Sequence, residues 1–391
     1  MSLRETLSTY WVRIQEELLP WLDDTMGGPL SRHHAQFVSV LGLARIETFL
    51  PSWHGLPGRP PSERAALARA FVAKAVFNFP TTRLLIDMLS HDRTLRRLCG
   101  WQRAGEVPGE STFSRAFAAF AASALPSRLH QALIQETHAD RLVGHISRDS
   151  TAIEAREKPV KPEQPAPAAQ PKRKRGRPRK GEVRAVEPPR RIERQLGMTL
   201  AEMLAELPRH CDVGTKRNAK GHQESWIGCK LHLACPRALD PGDSADGAIP
   251  ISCVLTSASL HDSQVAIPLA TMTAARVTNL YDLMDAAYDD AAIKQHSRGL
   301  NHVPIIDINP RATSGLKQEL ADEAKRQRLV GHCMAEDVRY RERSTAERVN
   351  GGLKDHHGGR TVQVRGAAKV MCHLMFGVFC FTALQLVRLV I

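Results

Sequence analysis

Apolar residues recur at three- and four-residue intervals in Leu3–Leu19, Ala35–Leu50, Ala65–Phe79 and Leu84–Leu98. That is the spacing of helices that bury one face. Pro20, Pro51, Pro80 and Gly100 separate the runs, as residues that stop a helix should. A further helix is expected over Phe113–Ala124, capped by Ser111 or Thr112 and carrying Ser114 and Arg115 near its start. Residues 1–140 therefore read as an all-helical domain. Its last helix fits two descriptions equally: the second member of a helix-turn-helix, or one element of a plain helical packing module.

Beyond residue 140 the period shortens. Val143–Ser147 reads as a short strand with Asp149 at its exit, and Lys216–Gly221 as a basic turn. Trp226–Ala234 alternates, placing Cys229, Leu231, Leu233 and Cys235 on one face and Lys230 and His232 on the other. His232 thus points away from both neighbouring thiols, which favours core cysteines over a zinc site. Ile249–Thr256, Asn279–Met284 and His302–Ile308 are further strands, the second of them closed by Asp285. Strands interleaved with helices make the region α/β, a mixed sheet with helices on its faces. The last run, Ala367–Ile391, is apolar enough to suggest a membrane span. Lys369, His373, Gln385 and Arg388 interrupt it, so a helix buried against the sheet is expected and no membrane.

Charge narrows the list of partners. The 391 residues carry 54 Lys and Arg against 41 Asp and Glu, a net charge of +13, with a pI near 9.6. Such a chain suits a polyanion, either nucleic acid or an anionic membrane surface. The eight cysteines form no CxxC pair and read as buried thiols of a reducing compartment. Met1–Leu19 lacks the continuous apolar core of a signal peptide. Residues 158–194 hold eight prolines and the run KRKRGRPRK, a composition expected to form a disordered insertion. Inside it, Arg175, Gly176, Arg177, Pro178 and Arg179 resemble an AT-hook core, whose extended backbone lets two arginines enter an A·T-rich minor groove. A nonspecific phosphate-binding or solvated tail has the same look. No amphipathic helix or lipidation motif beside it supports membrane recruitment.

The most informative stretch runs from Arg339 to Gly359 and reads as one helix. At about 100° per residue, Arg343, Glu347 and Lys354 fall within roughly 40° of one another, while Glu342 points about 140° away from Glu347. Glu347 is then an inward-facing carboxylate between two cations, with Tyr340 one turn before Arg343. Taken alone, Arg343 and Glu347 are equally an ordinary exposed ion pair. Asp149 alone is as well placed to start a turn as to offer a ligand from a strand end. Asp282 is a rival to Asp285 but faces the other side of its strand. Asp289 and Asp290 suit the start of the following helix. Asp262, beside His261, fits a helix cap or an active site.

The spacing Tyr-x2-Arg-x3-Glu-x6-Lys, here Tyr340, Arg343, Glu347 and Lys354, resembles the signature of DDE transposases of bacterial insertion sequences, the IS-four type. Asp149-Ser150-Thr151 after a strand resembles that family's first acid motif, and Asp285-Ala286-Ala287-Tyr288 its second. The strand leading into His261-Asp262 and the helical start resemble the family too. The resemblance implies a ribonuclease-H-like catalytic domain over residues 141–391, a mixed five-stranded sheet with helices, behind a DNA-binding domain over 1–140. It implies that Asp149, Asp285 and Glu347 are the catalytic acids and hold two Mg²⁺ ions, with Mn²⁺ as a substitute. Two such ions roughly 4 Å apart suit in-line phosphodiester displacement. Tyr340, Arg343 and Lys354 would lie against the DNA end.

The implied partners are double-stranded DNA, as the element's terminal inverted repeats and as target, and a second copy of the chain on that DNA. The implied place is a bacterial cytoplasm, at the nucleoid. The implied activity is cleavage at the element ends followed by strand transfer. One departure is Asn350-Gly351-Gly352: two glycines cost roughly 2 kcal/mol of helix propensity, so a bend that displaces Lys354 is expected. A metal-dependent nuclease without strand transfer, and a DNA-binding regulator derived from an inactive transposase, remain as alternatives.

Overall fold

The computed structural model describes residues 3–51, 63–139, 142–160, 188–217, 221–236, 248–309 and 315–389. The chain opens with α1 (Leu3–Arg13), a π-helical turn over Ile14–Leu18, and α2 (Leu19–Met26). Pro20 therefore lies within an unbroken helical run, directly after the π-helical turn, instead of ending a helix. Next come α3 (Arg32–Ala44), α4 (Arg64–Val76), α5 (Thr82–His91) and α6 (Arg93–Cys99). The helix expected over Leu84–Leu98 is two helices, because extended Asp92 caps the second by accepting the Leu95 N–H at 2.8 Å.

Then follow α7 (Glu110–Ala122) and α8 (Leu125–His138). Gly109, not Ser111 or Thr112, is the cap of α7. The ten residues between α6 and α7 exceed the three or four of a helix-turn-helix. Nearly every residue of α4 is buried, which accounts for its alanines, since a central helix must let neighbours approach on all sides. Phe71 of α4 meets Phe113, Phe117 and Phe120 of α7 with ring centroids 4.9–6.2 Å apart.

The sheet region begins with β1 (Leu142–Glu154), followed by α9 (Arg191–Gln195) and α10 (Leu200–Glu206). It continues with β2 (Asp212–Arg217), β3 (Gln223–Pro236), β4 (Ser252–Ser257), α11 (Ser263–Ala274), β5 (Thr278–Met284), α12 (Ala291–Gly299) and β6 (Val303–Ile306). The chain closes with α13 (Leu316–Leu329), α14 (Ala335–Tyr340), α15 (Ser344–His356) and α16 (Ala367–Arg388).

Among the described residues the sheet has six strands, not five. β1 runs antiparallel to β3 and parallel to β5, which is parallel to β6. β3 is long enough to pair with β2 along Gln223–Gly228 and with β4 along Cys229–Ala234. β2 is the strand the sequence hid, its last two residues inside what reads as a basic turn. Both ends of the expected insertion at 158–194 are ordered: the Val160 N–H donates to Cys211 O at 2.8 Å, and Arg191–Gln195 is helical. The AT-hook-like residues Arg175, Gly176, Arg177, Pro178 and Arg179 lie outside the described residues.

Each face of the sheet has its own cover. Ile153, Cys229, Leu231, Leu233 and Cys235 pack with Ala346, Val349 and Leu353 of α15 and with Val370 and Leu374 of α16. On the other face Met284 and Tyr288 pack with Ile267 of α11 and Ile293 of α12. All eight cysteines are free; Cys333 is exposed and the other seven are buried.

α16 is long and apolar enough to span a membrane, and 83% of its most apolar stretch is buried within this protein. Phe376 stacks on Phe71 at 5.9 Å, and Gly352 of α15 faces Phe381. It thus bridges the helical region and the sheet. The contact with α15 is close enough to require glycine: a Cβ on Gly377 would stand 2.3 Å from the His357 carbonyl oxygen and 3.1 Å from Leu353 Cδ1. Backbone cannot retreat as a side-chain tip can. We therefore expect Gly377→Ala to destabilise the fold by about 1–3 kcal/mol in urea denaturation, the ordinary cost of overpacking a core. Gly351→Ala, which meets nothing within 4 Å, should gain stability from helix propensity.

Candidate functional site

Parallel pairing of β1 with β5 matches Ser147 to Leu283, the last pair of the ladder. Carried one side-chain repeat further, this register sets Asp149 beside Asp285, on strands about 4.8 Å apart. Asp285 stands at the carboxyl end of β5, as expected, and caps the following turn by accepting the Ala287 N–H at 2.9 Å. Asp149 differs from expectation. It lies inside β1 and not at its exit, because β1 stays paired with β3 as far as Glu154 after β5 has ended.

Both acids belong to the face covered by α15. Ser147 Oγ donates to the Arg343 carbonyl at 2.7 Å, and Asn350 Nδ2 donates to Asp149 Oδ2 at 3.2 Å. α14, a 3₁₀ turn over Arg341–Arg343 and α15 follow one another without a break. The helix is unbroken through Asn350-Gly351-Gly352, α15 continuing to His356. Its buried positions are Thr345, Ala346, Val349, Asn350 and Leu353. Glu347, expected to face inward, has a side chain 51% exposed and accepts from Arg343 Nη2 at 2.6 Å.

Tyr340 donates its hydroxyl to Asp307 at 2.6 Å, and the Arg343 guanidinium lies 5.7 Å from the Tyr340 ring centre. Lys354 stands about 10 Å further along the helix than Glu347. The charges acting on it are those of Lys216, Arg360, Glu154 and Asp355, not of the three acids.

Burial, partly offset by the Ser150 N–H and Arg343 and reinforced by Asp285 and Glu347, pushes the Asp149 carboxyl up to about 6. Burial raises Asp285 as well, with Asp262 and Asp307 adding to the effect and the Ala287 N–H and Arg343 opposing it. Arg343 thus acts on Asp149, Asp285 and Glu347 together.

Among the described residues no three His, Cys, Asp or Glu side chains converge as a ready-made metal site. Two features nevertheless fit a hard cation. Two carboxylates that repel each other stand side by side, and Asn350 Oδ1 beside Asp149 is buried with no partner. Glu347 would complete an oxygen set only on leaving Arg343.

Asp282 has a different role. It forms a fully buried ion pair with Arg148 at 2.8 Å and also binds Asn279, Ser297 and His302. Burial alone would raise its carboxyl, but Arg148 and His302 outweigh that and hold it well below the ordinary value. Asp262 does not cap α11 with its side chain; it accepts from Lys230 Nζ at 3.0 Å. His232 Nε2 lies 2.9 Å from Thr256 Oγ1.

Two site residues escaped the sequence reading. Asn350 sits one turn after Glu347, where the two glycines drew attention instead. Asp307 closes β6 just as Asp285 closes β5, and that shared strand-end placement is the signal that marks it.

A family described as Transposase DDE domain matches residues 145–383, and one described as Transposase domain (DUF772) matches residues 30–119. No curated protein and no solved structure matches the chain.

Two expectations follow from the electrostatics. A carboxyl raised in the folded state binds its proton more tightly there than in the unfolded chain, so ionising Asp149 costs stability above its folded value and nothing below about pH 4. Asp149→Asn should therefore stabilise the protein by about 1–3 kcal/mol at pH 8, and the gain should shrink through pH 6 and vanish near pH 4 in denaturation at each pH. Asp282→Asn should act in the opposite direction, since it strands the buried Arg148 charge, and lose about 3–5 kcal/mol at neutral pH.

Proposed function

The chain belongs to the family of transposases with a DDE domain, and from that premise we propose that it cuts DNA at the ends of its own mobile element and joins them to target DNA. We place it in the insertion-sequence branch with the Tyr-x2-Arg-x3-Glu-x6-Lys pattern. We read its sheet, ordered β4, β3, β1, β5, β6 with β2 as an addition, as ribonuclease-H-like. The observation that carries the reading is the pair Asp149 and Asp285, set side by side by the β1–β5 register under the helix that bears Glu347.

On this reading Asp149, Asp285 and Glu347 would hold two Mg²⁺ ions, whose chemistry when bound would be to activate the attacking oxygen and to stabilise the departing 3′ oxygen. The chain's own residues do the rest. Asp149 and Asp285 are kept on rigid strands, with β1 fixed by β3 on one side and β5 on the other. Asn350 orients Asp149 through its amide hydrogen bond.

Arg343 neutralises the three acids while DNA is absent and turns to the scissile phosphate when it arrives, which frees the Glu347 carboxylate. A guanidinium suits that exchange because its planar fork matches carboxylate and phosphate alike. In the displacement a hydroxyl oxygen gives up its proton to solvent and bonds to phosphorus, the bond to the 3′ oxygen breaks and that oxygen takes a proton from solvent, and charge on the phosphoryl oxygens builds next to Arg343. Lys354, further along α15, is assigned to the DNA backbone away from the cut. Arg175, Gly176, Arg177, Pro178 and Arg179 are assigned to an A·T-rich minor groove. We place the enzyme on the element ends as a dimer, in the cytoplasm at the nucleoid.

The test uses labelled DNA carrying the element's ends, Mg²⁺, and wild type beside Glu347→Gln. The wild type should cut and join. The variant should bind the same DNA with at least a roughly 100-fold slower cleavage rate. A wild type that binds without cutting is a regulator, and one that cuts without joining is a nuclease; either result rejects the reading.

A further inference from the structure

Asp307 has no part in the three-acid reading, yet it stands in line with two of the acids. The β5–β6 ladder matches Met284 to Ile306, and the Asp307 N–H reaches the Met284 carbonyl at 3.4 Å. One step further along, Asp285 and Asp307 are neighbours. Asp149, Asp285 and Asp307 thus form one row across three adjacent parallel strands.

The outer member of the row holds something the others do not. Its Oδ2 accepts the Tyr340 hydroxyl at 2.6 Å. The Arg343 guanidinium lies over the Tyr340 ring and donates to Glu347 at 2.6 Å. Three contacts therefore link a carboxylate on the sheet to the acid on the helix.

We propose that Asp307 is a positioning residue for the cleavage site: it fixes the Tyr340 hydroxyl, and the oriented ring aims the Arg343 guanidinium at the acids and at the phosphate. A phenol has one hydrogen to give. Donated to Asp307, that hydrogen is unavailable to DNA, so Tyr340 acts through Arg343 and makes no donated bond to a phosphate. Charge-assisted bonds of this kind are roughly twice as strong as neutral ones. Burial first and the bond to Asp307 second keep the phenol well above its ordinary value, hence protonated. The inference rests on the transposase reading above and adds to it a residue and a mode of action.

The test compares wild type, Asp307→Asn, Tyr340→Phe and the double variant on element-end DNA with Mg²⁺, with thermal unfolding of each alongside. Each single variant should lower the maximal cleavage rate by about 10- to 100-fold, leave KM for the DNA within about twofold, and unfold as wild type does. The double variant should be no slower than Tyr340→Phe, since both changes break one linkage.

A second readout needs no activity. The chain has four tyrosines, so protein labelled with ¹³C at tyrosine Cζ gives four signals, and Tyr340→Phe identifies one of them. In Asp307→Asn that signal should move and the other three should stay. An unmoved signal, or additive losses in the double variant, overturns the inference while leaving wild-type cleavage intact. A wild type that cuts nothing overturns the functional reading and this inference with it, and the moved signal identifies that case.

Discussion

The parallel ladder between β1 and β5 decides where the acids stand. Asp149 and Asp285 are far apart in the chain, and only this register puts them on neighbouring strands at one level. The arrangement is unfavourable by itself. Both carboxyls are partly taken from water, Asp285 raises Asp149, and Arg343, the cation that lowers both, has to serve Glu347 as well. A site that holds negative charges together at a cost in stability is one prepared for positive charge to arrive. The unpaired Asn350 oxygen next to Asp149 points the same way.

That cost is offset in the layers on either side. α16 packs its aromatic residues against α4 and its glycine against α15, so the helix carrying Glu347 is held by the core of the helical region as well as by the sheet. A second tie lies at the end of α15. Asn78, between α4 and α5, donates to the Asp355 carbonyl at 2.9 Å and accepts the Gly358 N–H at 2.9 Å. Two matched transposase regions thus meet at one helix. A displacement of the helical region therefore reaches α15 through packed side chains and not across solvent.

Much of this was legible in the chain, for identifiable reasons. The helical start, the strand around Cys229–Cys235 and the burial of the last helix follow from periodicity, which reports how each segment meets the core. The acids were marked by strand ends and by the Tyr340–Lys354 spacing. What periodicity cannot carry is the relation between segments. Asp149 was placed at a strand exit because nothing local tells that β3 keeps pairing after β5 stops. β2 was missed because Asp212–Arg217 is paired on one edge and shows no apolar alternation. Glu347 was drawn inward by its neighbours' charges, whereas Asn350 takes the inward position and Glu347 stays half in water with Arg343. The glycines of α15 read as helix weakeners because their compensation, the close approach of Phe381 to Gly352, comes from a helix far along the chain.

β1 shows how stability and site are tied together. Its consecutive residues Arg148 and Asp149 point to opposite faces, as strand geometry requires. On the closed face Arg148 meets Asp282 in a pair with no solvent exposure; on the face under α15 Asp149 joins Asp285. A one-residue slip of β1 against β5 would exchange the two. Arg148 would then stand among the site's acids, and Asp282 would lose its cation within the apolar layer formed with α11 and α12. Each buried charge left unpaired costs several kcal/mol, more than a slipped ladder could recover through its remaining hydrogen bonds at about 1 kcal/mol each. The buried pair adds little to stability relative to a well-packed apolar pair, but it separates the correct register from its neighbour, and the correct register is what lines up the carboxylates on the other face.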